Sequence, residues 1–476
     1  MKALSFFASA AMVCASAQAG ENLVVDLLMP QPQVAEIRSG FAEREAPITV
    51  RVGAVPGVPS ETADEAYVLD VSPTGVTVTA STPQGERYAH ATLEQLKDLS
   101  GGRLPCCRVV DWPRLRWRGF MNDCGKNFLE VEGIKAILDV MAAYKMNLFH
   151  WHLTDYQGWR LESKKYPQLQ KPESFTRQIG RFYTQDEFRE VVAYAKERGI
   201  TVMPELDVPG HTLAFRKAMG IDSMSADGTD RVVADLFEEL CSLADEKTMP
   251  FIHLGTDEAR LESERCSPEW PNLWARAVNR CGRKAVVWAP GIRLAKDIDS
   301  IEMAWHDAYV TNAVSPVIDA SRMYHASWDP FDVLSHFAFT RPCRWTETKA
   351  PQLGAVTCCW HDDNMGDDTM KRFRECMMIP SIVGFAENYW TGQNKDRPEF
   401  IKRIPAPGTP AFAFAEALER RMMTQRDRVI AKRWPDLPFP FVGQTHMRWS
   451  VRDAESGKLL AADVPQATVW AFNERA

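Results

Sequence analysis

The sequence predicts an α/β protein, a (β/α)8 TIM barrel preceded by a small α+β domain. Three observations carry this. Between about residue 113 and 390, eight short apolar runs alternate with stretches of helical period, the mark of parallel βα units. Eight such units suffice to close a barrel, with an open doubly wound sheet as the competing arrangement. The stretch from about 21 to 112 reads differently, as a hairpin followed by a helix.

In order along the chain, Lys2 precedes the apolar "ALSFFASAAMVCASA", and "AQA" at 17–19 supplies small residues for cleavage. Residues 1–19 therefore read as a signal peptide, and the protein as exported, periplasmic or secreted. Residues 20–112 form the α+β domain: "AYVLDVSPTGVTVTAS" gives two alternating strands about Pro73-Thr74-Gly75, and "GERYAHATLEQLKDL" a helix. Residues 113–395 form the barrel. Its expected strands are "RWRGFMND", "NLFHWHLTD", "ITVMPELD", "FIHLGTDE", "AVVWAP", "IEMAWH", "RMYHAS" and "GAVTCCWHD". The helix "TQDEFREVVAYAKERG" opens on the capping box Thr184–Glu187 and ends at Gly199. Residues 396–476 are expected to be a helical extension, on the strength of "FAFAEALERRMMTQRDRVIAKRW".

A net charge of −7 with no Lys/Arg-rich run argues against nucleic acid or an anionic membrane as partner. Past the leader no stretch has the roughly 18 unbroken apolar residues of a membrane span. Of the 11 cysteines one lies in the leader, and no CxxC occurs, so no zinc ribbon or thioredoxin-like motif is written here. No cofactor and no metal are expected.

Active-site groups of such barrels sit where strands end. Here those ends carry Asp123, Asp155, Asp207 with His211, Asp257–Glu258, Trp288, Trp305, Tyr324, and Trp360 followed by Asp362. Aromatic faces pack on the C–H faces of a sugar, and charged groups bond its hydroxyls. Adjacent acids such as Asp257 and Glu258 repel and resist desolvation, so a strand end tolerates them only with partners nearby.

Five ordered motifs, "WRGFMNDCGKNF", "KMNLFHWHLTDYQGWRLE", "GITVMPELDVPGHTLAF", "HLGTDEAR" and "GFAENYW", resemble the signatures of glycoside hydrolase family 20, the β-N-acetylhexosaminidases. The resemblance implies an exo-acting, retaining enzyme that removes terminal β-linked GlcNAc or GalNAc from glycans. Its mechanism would be substrate-assisted, the 2-acetamido oxygen attacking C1 to give an oxazolinium ion. Glu258 then matches the general acid, and Asp257 the carboxylate that orients the acetamido group. Asp155 and His211 match a supporting pair behind the acid. Arg118 matches the Arg that grips the 3- and 4-hydroxyls, Tyr324 the Tyr that bonds the acetamido oxygen, and Trp288, Trp305 and Trp360 the pocket walls. Asp362 stands where the family often has a Glu for the 4- and 6-hydroxyls. Other departures are Thr256 before the acid pair, Tyr156 for the second Asp of "HWHLTDDQGW", Lys126-Asn127 for Arg-His, and Ala326 after the pocket Tyr.

Two other readings compete. "HWH" at 150–152 puts two imidazoles on one strand face, which with His211 and His253 suggests a metal-dependent barrel hydrolase. A glycan-binding protein without catalysis is the other, against which the intact acid pair speaks.

Overall fold

The computed structural model describes residues 24–259, 261–307, 309, 313, 315–325, 333–344, 348–392, 404–452 and 456–465. The leader-like residues 1–19 and Ala326 lie outside them. The chain divides into two compact units, one of residues 1–116, 329–340 and 383–476, the other of 117–328 and 341–382.

In the first unit, β1 (Val34–Glu43), β2 (Ile48–Val52), β3 (Tyr67–Ser72), β4 (Gly75–Ala80) and β5 (Arg103–Asp111) form one sheet in the order β1-β5-β3-β4-β2. β3 and β4 are the expected hairpin. Helix α1 (Pro83–Ser100) starts because Thr82 accepts a bond from Gly85 N and Pro83 holds the first turn, and it stops at left-handed Gly101. Tyr88, Leu93 and Leu96 of α1 pack on Leu69, Val78 and Leu104 of the sheet, all buried. Near the C-terminus a helix does form at Pro410–Thr424, but the helical extension ends there in a wider turn and a short helix. Arg448–Arg452 and Leu459–Pro465 pair as an antiparallel ribbon instead.

The second unit is the expected barrel. β6 (Trp117–Asp123), β7 (Leu148–His152), β8 (Thr201–Val208), β9 (Phe251–Gly255), β10 (Lys284–Ala289), β11 (Ser300–Ala304), β12 (Val317–Asp319) and β13 (Gln352–Cys359) close on one another, all in parallel. Met121, Leu148, Met203, Phe251, Val286, Ile301, Ile318 and Val356 fill the interior. Each such side chain contributes about 1.5–3 kcal/mol by leaving water. The capping box forms as read: Thr184 N donates to Glu187 Oε2 at 2.7 Å, and Glu187 N to Thr184 Oγ1 at 3.1 Å.

The seventh strand differs from expectation. It is Val317–Asp319, not "RMYHAS". Asp319 ends it by accepting bonds from Ser321 N, Ser321 Oγ and Cys343 N at 2.9, 2.7 and 2.8 Å. The chain turns at Arg322 (φ 59°) and returns so that Tyr324 makes a lone parallel bridge to Cys358. Among the described residues no helix is long and apolar enough to cross a membrane.

Candidate active site

Because the strands run in parallel, every exit faces one end of the barrel. A cavity of about 260 Å³ opens there, lined by Lys126, Asp155, Asp207, His211, Asp257, Glu258, Trp305, Tyr324, Trp360 and Asp362.

The acid pair follows a forced turn. Gly255 takes φ 74°, and a Cβ there would lie 1.8 Å from Asp207 Oδ1, so only glycine fits. Thr256 and Glu258 also adopt left-handed backbone, φ 80° and 48°, a strain that concentrates at functional loops. Both residues of the pair line the cavity. His211, itself at φ 55°, stands behind Glu258: its Nε2 is 3.6 Å from Glu258 Oε2 and its Nδ1 3.5 Å from Asp155 Oδ1. Three strand exits thus form one line, Asp155–His211–Glu258.

Electrostatics sort these groups. Burial disfavours the Asp155 carboxylate, but Lys126, His152 and His211 outweigh it and hold the acid well below its usual range. Burial likewise disfavours the His211 imidazolium, yet Asp155, Asp207 and Asp257 raise it to about 10. Asp257 moves the other way: burial, with Glu205 and Glu258 nearby, raises it to about 7 against the pull of His211. Asp207, fully buried beside it, is pushed well above the usual range by burial, Asp257 and Glu205. Asp257 Oδ1 and Asp207 Oδ1 have no hydrogen-bond partner among the described residues.

Rings make the other walls. Trp360 lies 5.7 Å from Tyr324 and 4.9 Å from His152, centroid to centroid. Trp305 Nε1 donates to Pro290 O at 2.9 Å. Asp362 is at the rim, its side chain 71% exposed.

Two residues expected at the sugar lie elsewhere. Arg118 opens β6 at the N-terminal end of the barrel, fully buried, its Nε donating to Lys145 O at 2.8 Å. It lies five positions before Asp123 at the exit, about 16 Å of strand, and it is not among the residues that line the cavity. Trp288 is 1% exposed and lies a layer below the cavity, its Nε1 donating to Glu205 Oε1 at 2.8 Å. It supports Trp360 and Tyr324, at 5.9 and 6.3 Å, rather than lining the cavity.

The cation at the cavity is Lys126. Its Nζ is 3.0 Å from Asp155 Oδ2, 3.3 Å from Asp123 Oδ2 and 3.7 Å from Asp362 Oδ1, and it sits 4.5 Å from the Trp360 ring. Burial would discharge it, but these acids keep it protonated. The sequence signalled it only as a departure at "GKNF".

The "HWH" imidazoles serve the interior. His150 Nε2 and His152 Nδ1 lie 2.8 and 2.6 Å from Glu205 Oε2, all three residues fully buried. Burial lowers His150 to about 4 despite Glu205. Of the residue groups compact enough to hold an ion, only Asp207–His211–Asp257, among the described residues, consists wholly of cavity-lining side chains.

A closed (β/α)8 barrel with acids, a basic dyad and rings converging at its strand exits defines a barrel of the glycoside hydrolase type. The chain belongs to glycoside hydrolase family 20. The catalytic-domain description of that family matches residues 115–308, and its domain 2 matches residues 8–112. Beta-hexosaminidase from Vibrio furnissii is 39% identical over 235 residues, 41% of this chain and 38% of that protein. Beta-hexosaminidase from Akkermansia muciniphila is 35% identical over 271 residues, 50% of this chain and 53% of the relative. The matched region thus spans about half or less of these relatives. The crystal structure of a beta-N-acetylhexosaminidase from Bacteroides fragilis aligns with TM-score 0.66 at 25% identity, covering 84% of this chain and 96% of that one. An exo beta-N-acetylglucosaminidase from Vibrio harveyi, solved with N-acetylglucosamine, aligns at TM-score 0.68 and 21% identity, covering 85% and 78%.

Proposed function

We propose that this chain is an exo-acting, retaining β-N-acetylhexosaminidase working by substrate assistance. The observation that carries the reading is that the chain neighbours Asp257 and Glu258 leave one strand exit and both line the cavity, with His211 beside Glu258 and Asp155 beyond it. Acids that straddle a sugar as nucleophile and acid stand about 5 Å or more apart, on opposite faces. Neighbours at one strand exit suit one acid and one orienting carboxylate.

In this reading the terminal sugar packs on Trp360, with its acetamido group between Asp257, Tyr324 and Trp305. Asp257 accepts the acetamido N–H, turning the carbonyl oxygen toward C1. Glu258 protonates the leaving oxygen as the acetamido carbonyl oxygen attacks C1 and the glycosidic bond breaks, and the Asp257 charge stabilises the oxazolinium ion. Glu258 then takes a proton from water, which opens the ring with the original configuration. An intramolecular nucleophile can reach effective molarities of about 10⁵ M or more. Lys126 and Asp362 hold the hydroxyl edge. The cavity volume suits one sugar unit, which supports exo action. The leader-like residues support export, tested by sequencing the mature N-terminus for a start at Gly20.

Matched aryl β-glycosides test the activity. N-acetylglucosaminide and N-acetylgalactosaminide should be cleaved and the plain glucoside should not. Equal cleavage of the glucoside would rule out the acetamido group as nucleophile.

A further inference from the structure

Tyr156 is a departure from the family pattern that touches both members of the acid's supporting pair. Its ring centroid lies 5.0 Å from that of His211, and its backbone N donates to Asp155 Oδ1 at 2.6 Å. It therefore contacts both members of the supporting pair while lying outside the cavity lining. Burial, and the charge of Glu264 in the loop that follows the acid pair, push its hydroxyl well above the usual range, so it stays protonated.

We infer that Tyr156 is a positioning residue that holds the His211 ring on the line between Asp155 and Glu258. His211 needs such a stop. Its two ring contacts, at 3.5 and 3.6 Å, are ion-pair distances rather than short hydrogen bonds, and its backbone is in the left-handed region. An aromatic face against an imidazolium is attractive and restricts tilt. Charged groups face His211 from every side: Asp155 beyond β7, Asp207 from β8, Asp257 and Glu258 from β9, with Lys126 one step behind Asp155. Small rotations of the ring would trade one of these acids for another. The Tyr156 ring, packed against the imidazole, limits such rotations.

This inference rests on the hexosaminidase reading, and the test separates the two. Tyr156→Leu, Tyr156→Gln and Tyr156→Phe are compared with wild type on N-acetyl β-glycosides carrying good and poor leaving groups, across pH. With His211 loosened, its proton leaves at lower pH, and the Glu258 anion loses its cationic neighbour. Tyr156→Leu should cost about tenfold in kcat/KM on the poor leaving group and clearly less on the good one. Its alkaline limb should move toward neutral pH. Tyr156→Phe keeps the ring and should stay within about threefold of wild type. Equal losses on both leaving groups with an unmoved limb would overturn the inference. If Tyr156→Leu does not fold, Tyr156→Gln takes its place, and wild-type behaviour of that ringless variant would do so. If wild type cleaves none of these substrates, the functional reading fails, whatever Tyr156 does.

Discussion

Two cations eight positions apart, Arg118 and Lys126, sit at opposite ends of the barrel's first strand. Both are withdrawn from water. Arg118 is enclosed at the floor and spends its Nε donor on the carbonyl of Lys145. Lys126 is enclosed by three carboxylates and a ring and still faces the cavity. The contrast extends beyond these two. At the exit, Asp207 Oδ1, Asp257 Oδ1 and Trp360 Nε1 have no partner among the described residues. A buried polar atom left unpaired costs about 1–3 kcal/mol. Such a cost is sustained where a ligand supplies the missing bond.

Predictions that break or sharpen this contrast follow in order of size. Glu258→Gln should slow turnover of poorly activated substrates by about 10²–10⁴. Asp257→Asn should cost about 10²–10³, even where binding survives. Wild-type rates in either variant would remove the exit wall from the chemistry. Next comes the pair of cations. Lys126→Met should lower kcat/KM about tenfold or more through loss of charge-assisted bonds to the sugar, with little change in Tm. Arg118→Met should leave kcat/KM of the folded protein intact while costing about 1–3 kcal/mol in denaturant unfolding. The reverse pattern would return Arg118 to the sugar.

The smallest effect near neutrality is on pH. In the proposed mechanism Asp257 must be ionised to hold the acetamido group, and it is raised from 3.8 to about 7. Free-enzyme activity, read as kcat/KM, should therefore fall as pH drops through about 7. The kcat limb should lie lower, because an acetamido N–H favours the carboxylate. Asp257→Asn should abolish the limb, and a limb that persists in that variant belongs to another group.

Much of this was legible in the sequence. Alternating apolar runs gave seven of the eight barrel strands, and the rule that sites lie at strand exits drew out Asp155, His211, Asp257, Glu258 and the rings. The same rule, applied to "RWRGFMND", would have placed Arg118 at the wrong end and Lys126 just past the right one. Matching by residue type overrode position. Trp288 was legible as a strand-end aromatic but not as a supporting one, since Glu205, two strands away, draws its indole beneath the cavity. The seventh strand was hidden because three residues, Val317–Asp319, are too short for any period to show, while "RMYHAS" alternates without forming a ladder.

The sequence alone determined the barrel, its direction and the neighbouring acids, because periodicity and adjacency are properties of the chain itself. Only the tertiary structure decided which cation faces the cavity, which tryptophan lines it and that Tyr156 packs against His211. Those outcomes depend on distances between strand exits far apart in the chain, and on how buried charges from different strands settle one another's protonation.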